Sequence, residues 1–308
     1  MTSISIVIPT MNRLDSLKRT ISYIAKGTIL PKEIIIVDQT QDLQIVESAK
    51  AFLKRLSIKC IYLHQEQPSL TKARNLGMKY VSGDLVIQMD DDVDIKTDTL
   101  AIINNIFANN NISMLAGIDE KMTHESQSII GYFFLKKNWF KRKIGHVTLS
   151  MYGRFPSTLN SNTQTEWAMG FFSVFRTQLI NKWNIKWDEK LKSYAYAEDL
   201  DFSYSYFKHS QKEKLKCIIS NQVLVKHNVT QEWRIPSQKH SHMIIQHREY
   251  LRYKYHHNSI LSILATNYSD FGEYLRRILY HEAPSEWLKG IIIKNRNLKN
   301  VHEGKFIY

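Results

Sequence analysis

Along the first hundred residues, short apolar runs alternate with segments in which apolar residues recur at helical spacing. The apolar runs predict strands over 4–9, 32–38, 58–63 and 84–89. The intervening segments predict helices over 13–25, 43–56 and 70–81. Continuous Ile and Val without polar alternation is typical of parallel strands buried on both faces. Strands separated by helices of this length predict an α/β fold, with a mixed, mostly parallel sheet flanked by helices.

The pattern is less regular through the rest of the chain. It predicts a helix over 97–109, a strand over 112–118, a short strand entering a helix over 165–180, a helix from about Glu198, and a strand pair or one long bent strand over 214–227. Beyond residue 237 the sequence is helical and basic. We therefore expect a core domain over 1–230 and a basic helical C-terminal extension over 231–308.

The composition is typical of a globular protein, and the net charge of the chain is strongly positive. Of the 308 residues, 43% are hydrophobic and 23% charged, and the formal net charge is +13. That charge is compatible with nucleic acid, anionic lipid or phosphorylated substrates as partners. Because no nucleic-acid-binding motif accompanies the charge, we predict no nucleic-acid partner.

Several features bear on where the protein acts. No apolar run approaches the ~18–20 residues needed to span a bilayer, and the N-terminus does not resemble a secretory signal. Cys60 and Cys217 lie in apolar, strand-like runs, which favours free thiols in a reducing compartment. We predict a cytoplasmic protein that can lie peripherally on the inner face of the plasma membrane.

A run of aspartates, "MDDDVD", follows the predicted strand over 84–89. In open α/β sheets, ligands bind at the carboxyl ends of the parallel strands, so this run should converge with Pro9–Asn12 and Asp38. In an extended chain Asp90 and Asp92 share one face and Asp91 points away. Two carboxylates on one face suit Mg²⁺ or Mn²⁺, although a solvated acidic turn remains an alternative.

A second acidic stretch, "YAEDLDF", lies at the start of a predicted helix. Carboxylates in the first turn of a helix are favourable to its macrodipole, so Glu198 and Asp199 need no further role. Beside a metal site, one of them becomes a candidate general base. His227 ends the predicted strand over 214–227, where it is either structural or a metal ligand.

Five blocks in order resemble the inverting family 2 glycosyltransferases with the GT-A fold. They are "SIVIPTMNR", "EIIIVDQT", "LTKARNLGMKYVSGDLVIQMDDDV", "AMGFFSVFR" and "YAEDLDFS", and they cover roughly 3–230. The resemblance implies a GT-A fold that transfers a sugar from a nucleoside-diphosphate donor, with a UDP-sugar favoured, to a hydroxyl of a glycan or lipid-linked acceptor. The expected setting is bacterial surface polysaccharide synthesis.

The resemblance also implies roles for individual residues. Asp199 is the expected catalytic base, with Glu198 beside it. Asp92 is the expected ligand of Mn²⁺ or Mg²⁺, and His227 is a further candidate ligand. The expected donor-binding residues are Pro9, Thr10, Asn12, Asp38, Arg74, Asn75, Asp90 and Asp91.

The sequence departs from the family pattern in three places, one of which is that about the last 70 residues carry no motif of the family. "VDQT" keeps only the first Asp of the usual acidic turn, and "QEWRIP" only partly matches the QxxRW signature of processive synthases. Two other functions stay open. The first is a sugar-phosphate nucleotidylyltransferase, which needs a glycine-rich loop that "PTMNRLDS" lacks. The second is a non-catalytic nucleotide-sugar or glycan-binding protein, which would not need the acidic residues of both stretches. The basic C-terminal helices either dock on an anionic membrane or are simply solvated.

Overall fold

The structure, a computed structural model, describes residues 2–123, 144–156, 159, 161–192, 194–228 and 237–308. The chain divides into two units. The first comprises Met1–His124, Thr158–Ser193 and Glu198–Thr230, and the second Glu125–Ser157, Tyr194–Ala197 and Gln231–Tyr308. The predicted boundary at 230 stays a prediction. The "QEWRIP" segment lies outside the described residues.

Strands and helices alternate through the first unit much as the apolar pattern predicts. Its described strands are β1 (Ile4–Thr10), β2 (Glu33–Asp38), β3 (Cys60–His64), β4 (Leu85–Met89), β5 (Val93–Asp94), β6 (Ile112–Asp119), β9 (Thr163–Gln164), β10 (Phe172–Arg176) and β11 (Lys216–His227). Its described helices are α1 (Leu14–Ala25), α2 (Leu43–Leu53), α3 (Leu70–Met78), α4 (Thr99–Phe107), α5 (Thr177–Trp183) and α6 (Glu198–Lys212). A 3₁₀ turn spans Glu120–Thr123.

The described strands of this unit form one mixed sheet in the order β3-β2-β1-β4-β10-β6-β11-β5, and β9 pairs with β11. β3, β2, β1 and β4 run parallel to one another. β10 is antiparallel to both β4 and β6, and β11 is parallel to β6. The predicted mixed, mostly parallel α/β sheet is confirmed.

Burial explains why these segments are strands and helices. Every residue of β1 and β2 is buried, as continuous apolar runs in a covered parallel sheet require. Leu17, Ile21 and Ile24 line the buried face of α1. Asp42 and Ser69 cap α2 and α3 from the residue before each helix, where their side chains accept hydrogen bonds from backbone N–H groups of the first turn.

One element resolves an ambiguity of the sequence. The segment 214–227 is a single strand, β11, whose register with β6 shifts between Ile219 and Leu224. Its last two residues pair antiparallel with β5. Because of this length, β11 carries His227 to the edge of the sheet where β4 ends. Both cysteines are free, as expected.

The second unit is mostly helical. Its described elements are β7 (His146–Val147), β8 (Gly153–Arg154), α7 (Ser237–His256), α8 (Ile260–Leu279), α9 (Pro284–Arg296) and α10 (Leu298–His302). α7 packs against the three helices that follow it. Among the described helices, none combines the length and hydropathy that crossing a membrane requires.

Candidate active site

The carboxyl ends of β1, β2 and β4 bring together the polar residues that follow these strands. Thr10 ends β1 and is paired in register with Asp38, the last residue of β2. β4 lies on the other side of β1, and Asp90 follows its last residue directly. Open α/β sheets bind their ligands at this edge. Pro9, which precedes Thr10, is buried within β1.

Asp90, Asp92 and His227 form a compact group of potential metal ligands. One donor atom from each lies within 4.8 Å of the other two. Nε2 of His227 lies 3.1 Å from Oδ1 of Asp92. The imidazole stacks on the ring of Phe171, with 4.9 Å between the ring centroids, and this contact fixes its orientation.

The donor set of this group fits a divalent cation. Ions such as Mg²⁺ lie about 2.0–2.1 Å from their ligands, so opposite ligands of one ion are roughly 4.2 Å apart. The three donor atoms lie within 4.8 Å of one another, which is close to that spacing. Carboxylate oxygens suit Mg²⁺ and Mn²⁺, and an imidazole is also a common transition-metal ligand. The side chain of Asp90 is 33% exposed, so the group is open to a further ligand.

Asp92 and His227 favour each other's charged form, so a metal ion bound to both must displace the imidazole proton. Burial raises the pKa of Asp92, but hydrogen bonds from His227 and Arg13 outweigh burial and hold that pKa below its usual value. Burial lowers the pKa of His227, whereas the neighbouring Asp92 carboxylate raises it above its usual value overall. Asp92 is therefore ionised at neutral pH, which is the form that binds metal.

Asp91 is buried on the other side of the run, where it contacts β1 and Arg13. Oγ1 of Thr10 donates to Oδ2 of Asp91 at 2.6 Å, and Nη1 of Arg13 lies 2.8 Å from Oδ1. Nη2 of Arg13 donates to Oδ2 of Asp92 at 2.5 Å. Burial raises the pKa of Asp91 to about 7, although Arg13 opposes that rise. Arg13 therefore fixes both aspartates from the residue before α1.

Arg74, on α3, connects the acidic run with the start of α6. Its Nη2 donates to Oδ1 of Asp90 at 3.0 Å and to the carbonyl oxygen of Gly170 at 3.1 Å. Its Nε lies 3.2 Å from Oε1 of Glu198. The guanidinium is almost fully buried between these two carboxylates. Arg74 therefore sets the spacing between the metal-ligand group and the acids of α6.

The two acids that begin α6 have different surroundings. Burial raises the pKa of Glu198 to about 8, although Arg74 opposes that rise. Burial also raises the pKa of Asp199 above its usual value. The backbone N–H of Gly170 donates to Oδ2 of Asp199 at 2.9 Å, and that of Leu200 donates to Oδ1 at 2.8 Å. Each oxygen keeps a second lone pair, so Asp199 is oriented and can still accept a proton.

Gly170 is packed among these groups. A Cβ atom at this position would lie 3.2 Å from Nη2 of Arg74, 3.2 Å from Cβ of Asp199 and 3.3 Å from Oε1 of Glu198. These distances are shorter than ordinary van der Waals contacts, so a side chain here would displace its neighbours. The absence of a side chain allows the backbone to approach the acids.

Each carboxylate oxygen of Asp38 accepts one hydrogen bond within the unit. The Tyr62 hydroxyl donates to its Oδ2 at 2.6 Å, and the backbone N–H of Thr40 donates to its Oδ1 at 2.8 Å. Oγ1 of Thr40 in turn accepts from the backbone N–H of Asn12, which has a positive φ of 56°. These bonds couple the loops after β1 and β2.

Asn75 makes its contacts away from the acidic run. Its amide nitrogen donates to the carbonyl oxygen of Trp187 at 2.9 Å and to Oε1 of Glu189 at 3.0 Å. Its Oδ1 accepts from the backbone N–H of Trp187 at 2.9 Å. The side chain thus tethers the segment before α6, and its donor-binding role stays a prediction.

Residues 5–183 match the sequence profile of the family described as Glycosyl transferase family 2. The chain belongs to this family. It is 39% identical over 89 residues to the uncharacterized glycosyltransferase YwdF of Bacillus subtilis (strain 168), a match that covers 29% of this chain and 32% of YwdF. It is 23% identical over 210 residues to the poly(ribitol-phosphate) beta-N-acetylglucosaminyltransferase TarS of Staphylococcus aureus (strain Mu50 / ATCC 700699), covering 66% of this chain and 32% of TarS. The matches therefore span about a third of each of these relatives.

Solved structures support the fold. A structure of S. aureus TarS 1–349 in complex with UDP superposes with a TM-score of 0.51 and 19% identity, covering 98% of this chain and 88% of that chain. The mannosyltransferase PcManGT from Pyrobaculum calidifontis, in complex with GDP-Man and Mn²⁺, superposes with a TM-score of 0.54 and 13% identity, covering 99% and 85%. At these identities the likeness shows the fold alone, and the predicted GT-A fold and family are confirmed.

Sequence reasoning did not identify Arg13, Tyr62 or Gly170 as parts of the site. Arg13 follows directly after "PTMN", so a search for a cation opposite the aspartate run could have found it. Gly170 interrupts the apolar stretch "AMGFF", where a glycine in a predicted strand signals close backbone approach. Tyr62 had no such signal, because only strand pairing places it beside Asp38.

Proposed function

We propose that the protein is an inverting, metal-dependent glycosyltransferase with a UDP-sugar donor. The observation that carries the proposal is the position of Arg74, which contacts Asp90 on the metal-ligand side and Glu198 on the other. The buried Arg74 guanidinium thereby holds the acids of the donor side and those of the acceptor side in one site. Family membership favours glycosyl transfer over nucleotidyl transfer.

The donor is expected at the carboxyl ends of β1, β2 and β4. Asp90, Asp92 and His227 would hold Mn²⁺ or Mg²⁺, and the cation would supply positive charge against the departing diphosphate. The nucleoside would lie toward Thr10, Asn12 and Asp38. UDP is favoured because TarS, which shares the fold, has been solved with it. Mn²⁺ is supported in the same way by PcManGT.

Asp199 is proposed to remove the proton from the acceptor hydroxyl. Two backbone N–H groups fix its carboxylate, and its raised pKa brings it closer to neutral pH, where a general base is most effective. The activated oxygen attacks the anomeric carbon as the nucleoside diphosphate leaves from the opposite face, which inverts the configuration. Glu198 and Arg74 position Asp199 rather than react.

The acceptor is proposed to be a hydroxyl of a glycan or lipid-linked glycan of a bacterial surface polysaccharide. This setting rests on the relative TarS, whose name describes transfer to poly(ribitol-phosphate). The expected location is the cytoplasm.

The Asp199→Asn variant tests the catalytic assignment. UDP-, GDP- and TDP-sugars are offered with Mn²⁺ or Mg²⁺, and release of the nucleoside diphosphate is measured with and without acceptor glycans. Loss of the base should lower turnover by at least about 10²-fold while UDP affinity stays within about twofold. Asp98→Asn is the matched control, because Asp98 is exposed and its side chain makes no cap hydrogen bond. Wild-type turnover in Asp199→Asn would refute the assignment of the base.

Calorimetry tests the metal site separately. Asp92→Asn should abolish the gain in UDP affinity that Mn²⁺ gives the wild type, while binding without metal changes little. Equal enhancement in both proteins would place the metal elsewhere. The anomeric configuration of the product, read by proton NMR coupling, decides between inversion and retention.

A further inference from the structure

Helix α8 of the second unit turns its apolar side outward. Its exposed apolar residues, which we call the α8 stripe, are Ile260, Leu261, Ile263, Leu264, Tyr268, Phe271, Ile278 and Leu279. Ile260 is 73% exposed and Leu261 70%. The residues that α8 buries are instead polar or small: Ser262, Thr266, Ser269, Asp270, Gly272 and Glu273. This arrangement reverses the usual one for a helix on a protein surface.

The buried polar side is held by specific partners within the unit. Nη1 of Arg248 donates to Oδ1 of Asp270 at 2.8 Å, and Nζ of Lys294 donates to Oδ2 at 2.9 Å. The indole N–H of Trp287 donates to the carbonyl oxygen of Asp270 at 3.0 Å. Rotating α8 to bury its apolar side would break the buried Arg248–Asp270–Lys294 network. The outward direction of the α8 stripe is therefore built into the unit.

A stripe of this size is unusual on a surface that faces only water. It runs along a helix of 20 residues, about 30 Å long. Of the nine exposed residues of α8, only Asn267 lies outside the α8 stripe, and the charged residues of this helix are buried or partly buried. Large contiguous exposed apolar patches mark contacts with another protein or with a membrane.

The surface charge of the second unit indicates whether a protein or a membrane contacts the α8 stripe. Among the described residues of 231–308, the exposed acids are Glu282 and Glu303, whereas the exposed cations are Lys239, Lys254, Lys289, Arg296, Lys299 and Lys305. A second copy of the chain would bring another positive surface against the first, whereas anionic lipid complements it. Tyr268 lies within the α8 stripe and Tyr280 follows α8, and aromatic residues of this kind favour the membrane–water boundary.

We propose that the α8 stripe docks the protein on anionic lipid, with α8 lying in the plane of the bilayer surface. The apolar side chains enter the headgroup and acyl-chain boundary, while exposed basic residues of the unit contact the lipid phosphates. This contact goes beyond the proposed transfer reaction. It also differs from docking by basic helices alone, because the apolar contact should persist when salt screens the charges.

Vesicle sedimentation of the full chain tests the proposal. The vesicles contain phosphatidylglycerol and phosphatidylcholine, with pure phosphatidylcholine as the neutral comparison. Leu264→Ser combined with Phe271→Ser should lower the partition coefficient on anionic vesicles by at least about tenfold, because each substitution removes a large apolar side chain from the contact. Wild-type binding should weaken in 0.5 M NaCl but remain measurable.

The matched control is Leu30→Ser combined with Leu43→Ser in the first unit, where the two leucines are 45% and 75% exposed. This variant should sediment like the wild type. Circular dichroism and thermal melting check that both variants are folded. No donor or acceptor is present, so the result is independent of the proposed activity.

Three outcomes would overturn the proposal. The first is absence of wild-type binding to anionic vesicles, and the second is equal binding by the wild type and the α8 variant. The third is a wild-type dimer in light scattering that dissociates in the α8 variant without any vesicle binding. That third result would assign the α8 stripe to a second copy of the chain.

Discussion

Glu33 is a buried acid that stabilises the fold, and its role can be tested separately from that of the acids in the candidate site. It begins β2, whereas Asp38 ends it, so the two lie about 17 Å apart at opposite edges of the sheet. Its buried carboxylate accepts hydrogen bonds from Oγ of Ser5, from N and Oγ of Ser82, and from Nζ of Lys59, all at 2.8–2.9 Å. These bonds join the starts of β1, β2 and β3 to the turn before β4.

The magnitude follows from the pKa of Glu33. Burial raises this pKa, but the hydrogen bonds from Lys59, Ser5 and Ser82 outweigh burial and lower it from 4.5 to about 2. At about 1.4 kcal/mol per unit, ionised Glu33 stabilises the fold by up to about 3 kcal/mol. Because the Lys59 side chain is 62% exposed, solvent screening reduces the expected value to about 2 kcal/mol.

The pH dependence has a definite sign. A carboxyl whose folded pKa is depressed contributes its full stabilisation above the unfolded pKa, near 4.5, and loses it as pH falls toward 2. Glu33→Gln should therefore lower the free energy of unfolding by about 2 kcal/mol at pH 7 and by less than half of that at pH 3. Urea unfolding followed by tryptophan fluorescence measures both values.

Two comparisons make this prediction specific. Glu47→Gln changes an exposed glutamate that pairs with Lys50 on α2, and it should unfold like the wild type. Glu33→Gln should also keep wild-type UDP affinity, because Glu33 is remote from the candidate site. If Glu33→Gln lost the same stability at pH 7 and pH 3, the electrostatic reasoning would be wrong. If it lowered UDP affinity, Glu33 would not be independent of the candidate site.

Three further substitutions probe the candidate site. Arg13→Gln should lower the free energy of unfolding in urea by about 2–4 kcal/mol, because it leaves buried Asp91 without its cation; an unchanged midpoint would contradict this. Gly170→Ala should lower turnover by at least about tenfold, since the new Cβ displaces the groups around Asp199; steady-state kinetics at the wild-type rate would show that the site tolerates the displacement. Tyr62→Phe removes the phenol that donates to Asp38 and should raise the dissociation constant of UDP about threefold to tenfold in calorimetry, with turnover unchanged; an unaltered dissociation constant would show that this hydrogen bond does not contribute to donor binding.

Local patterns were sufficient to predict most of the first unit. The strand predicted over 4–9 is β1, Ile4–Thr10, and the helix predicted over 13–25 is α1, Leu14–Ala25. Periodicity succeeded here because every residue of the strand is buried and one face of the helix packs on the sheet. The helix predicted over 70–81 ends at Met78 instead, since apolar spacing alone does not mark where a helix stops.

Features that depend on distant residues were not predictable. The positions of β10 between β4 and β6, and of β5 beside β11, follow from pairing across more than 50 residues. The aspartate run and the "ED" pair were identified separately, but nothing local indicated that Arg74 joins them. In the second unit, the basic residues left two possibilities open, docking on an anionic membrane or solvated helix faces. Arg248 and Lys294 are instead buried against Asp270, and the exposed side of α8 is apolar.

The contacts of α3 limit how the protein can be recombined with its relatives. Within nine residues, α3 binds three points of the chain more than 90 positions away: Oγ1 of Thr71 donates to the carbonyl of Leu191, Arg74 donates to that of Gly170, and Asn75 holds Trp187. A chimera that exchanges 165–201 alone would separate these partners from their helix. This segment must therefore be exchanged together with α3, and the smallest exchangeable block is discontinuous in sequence.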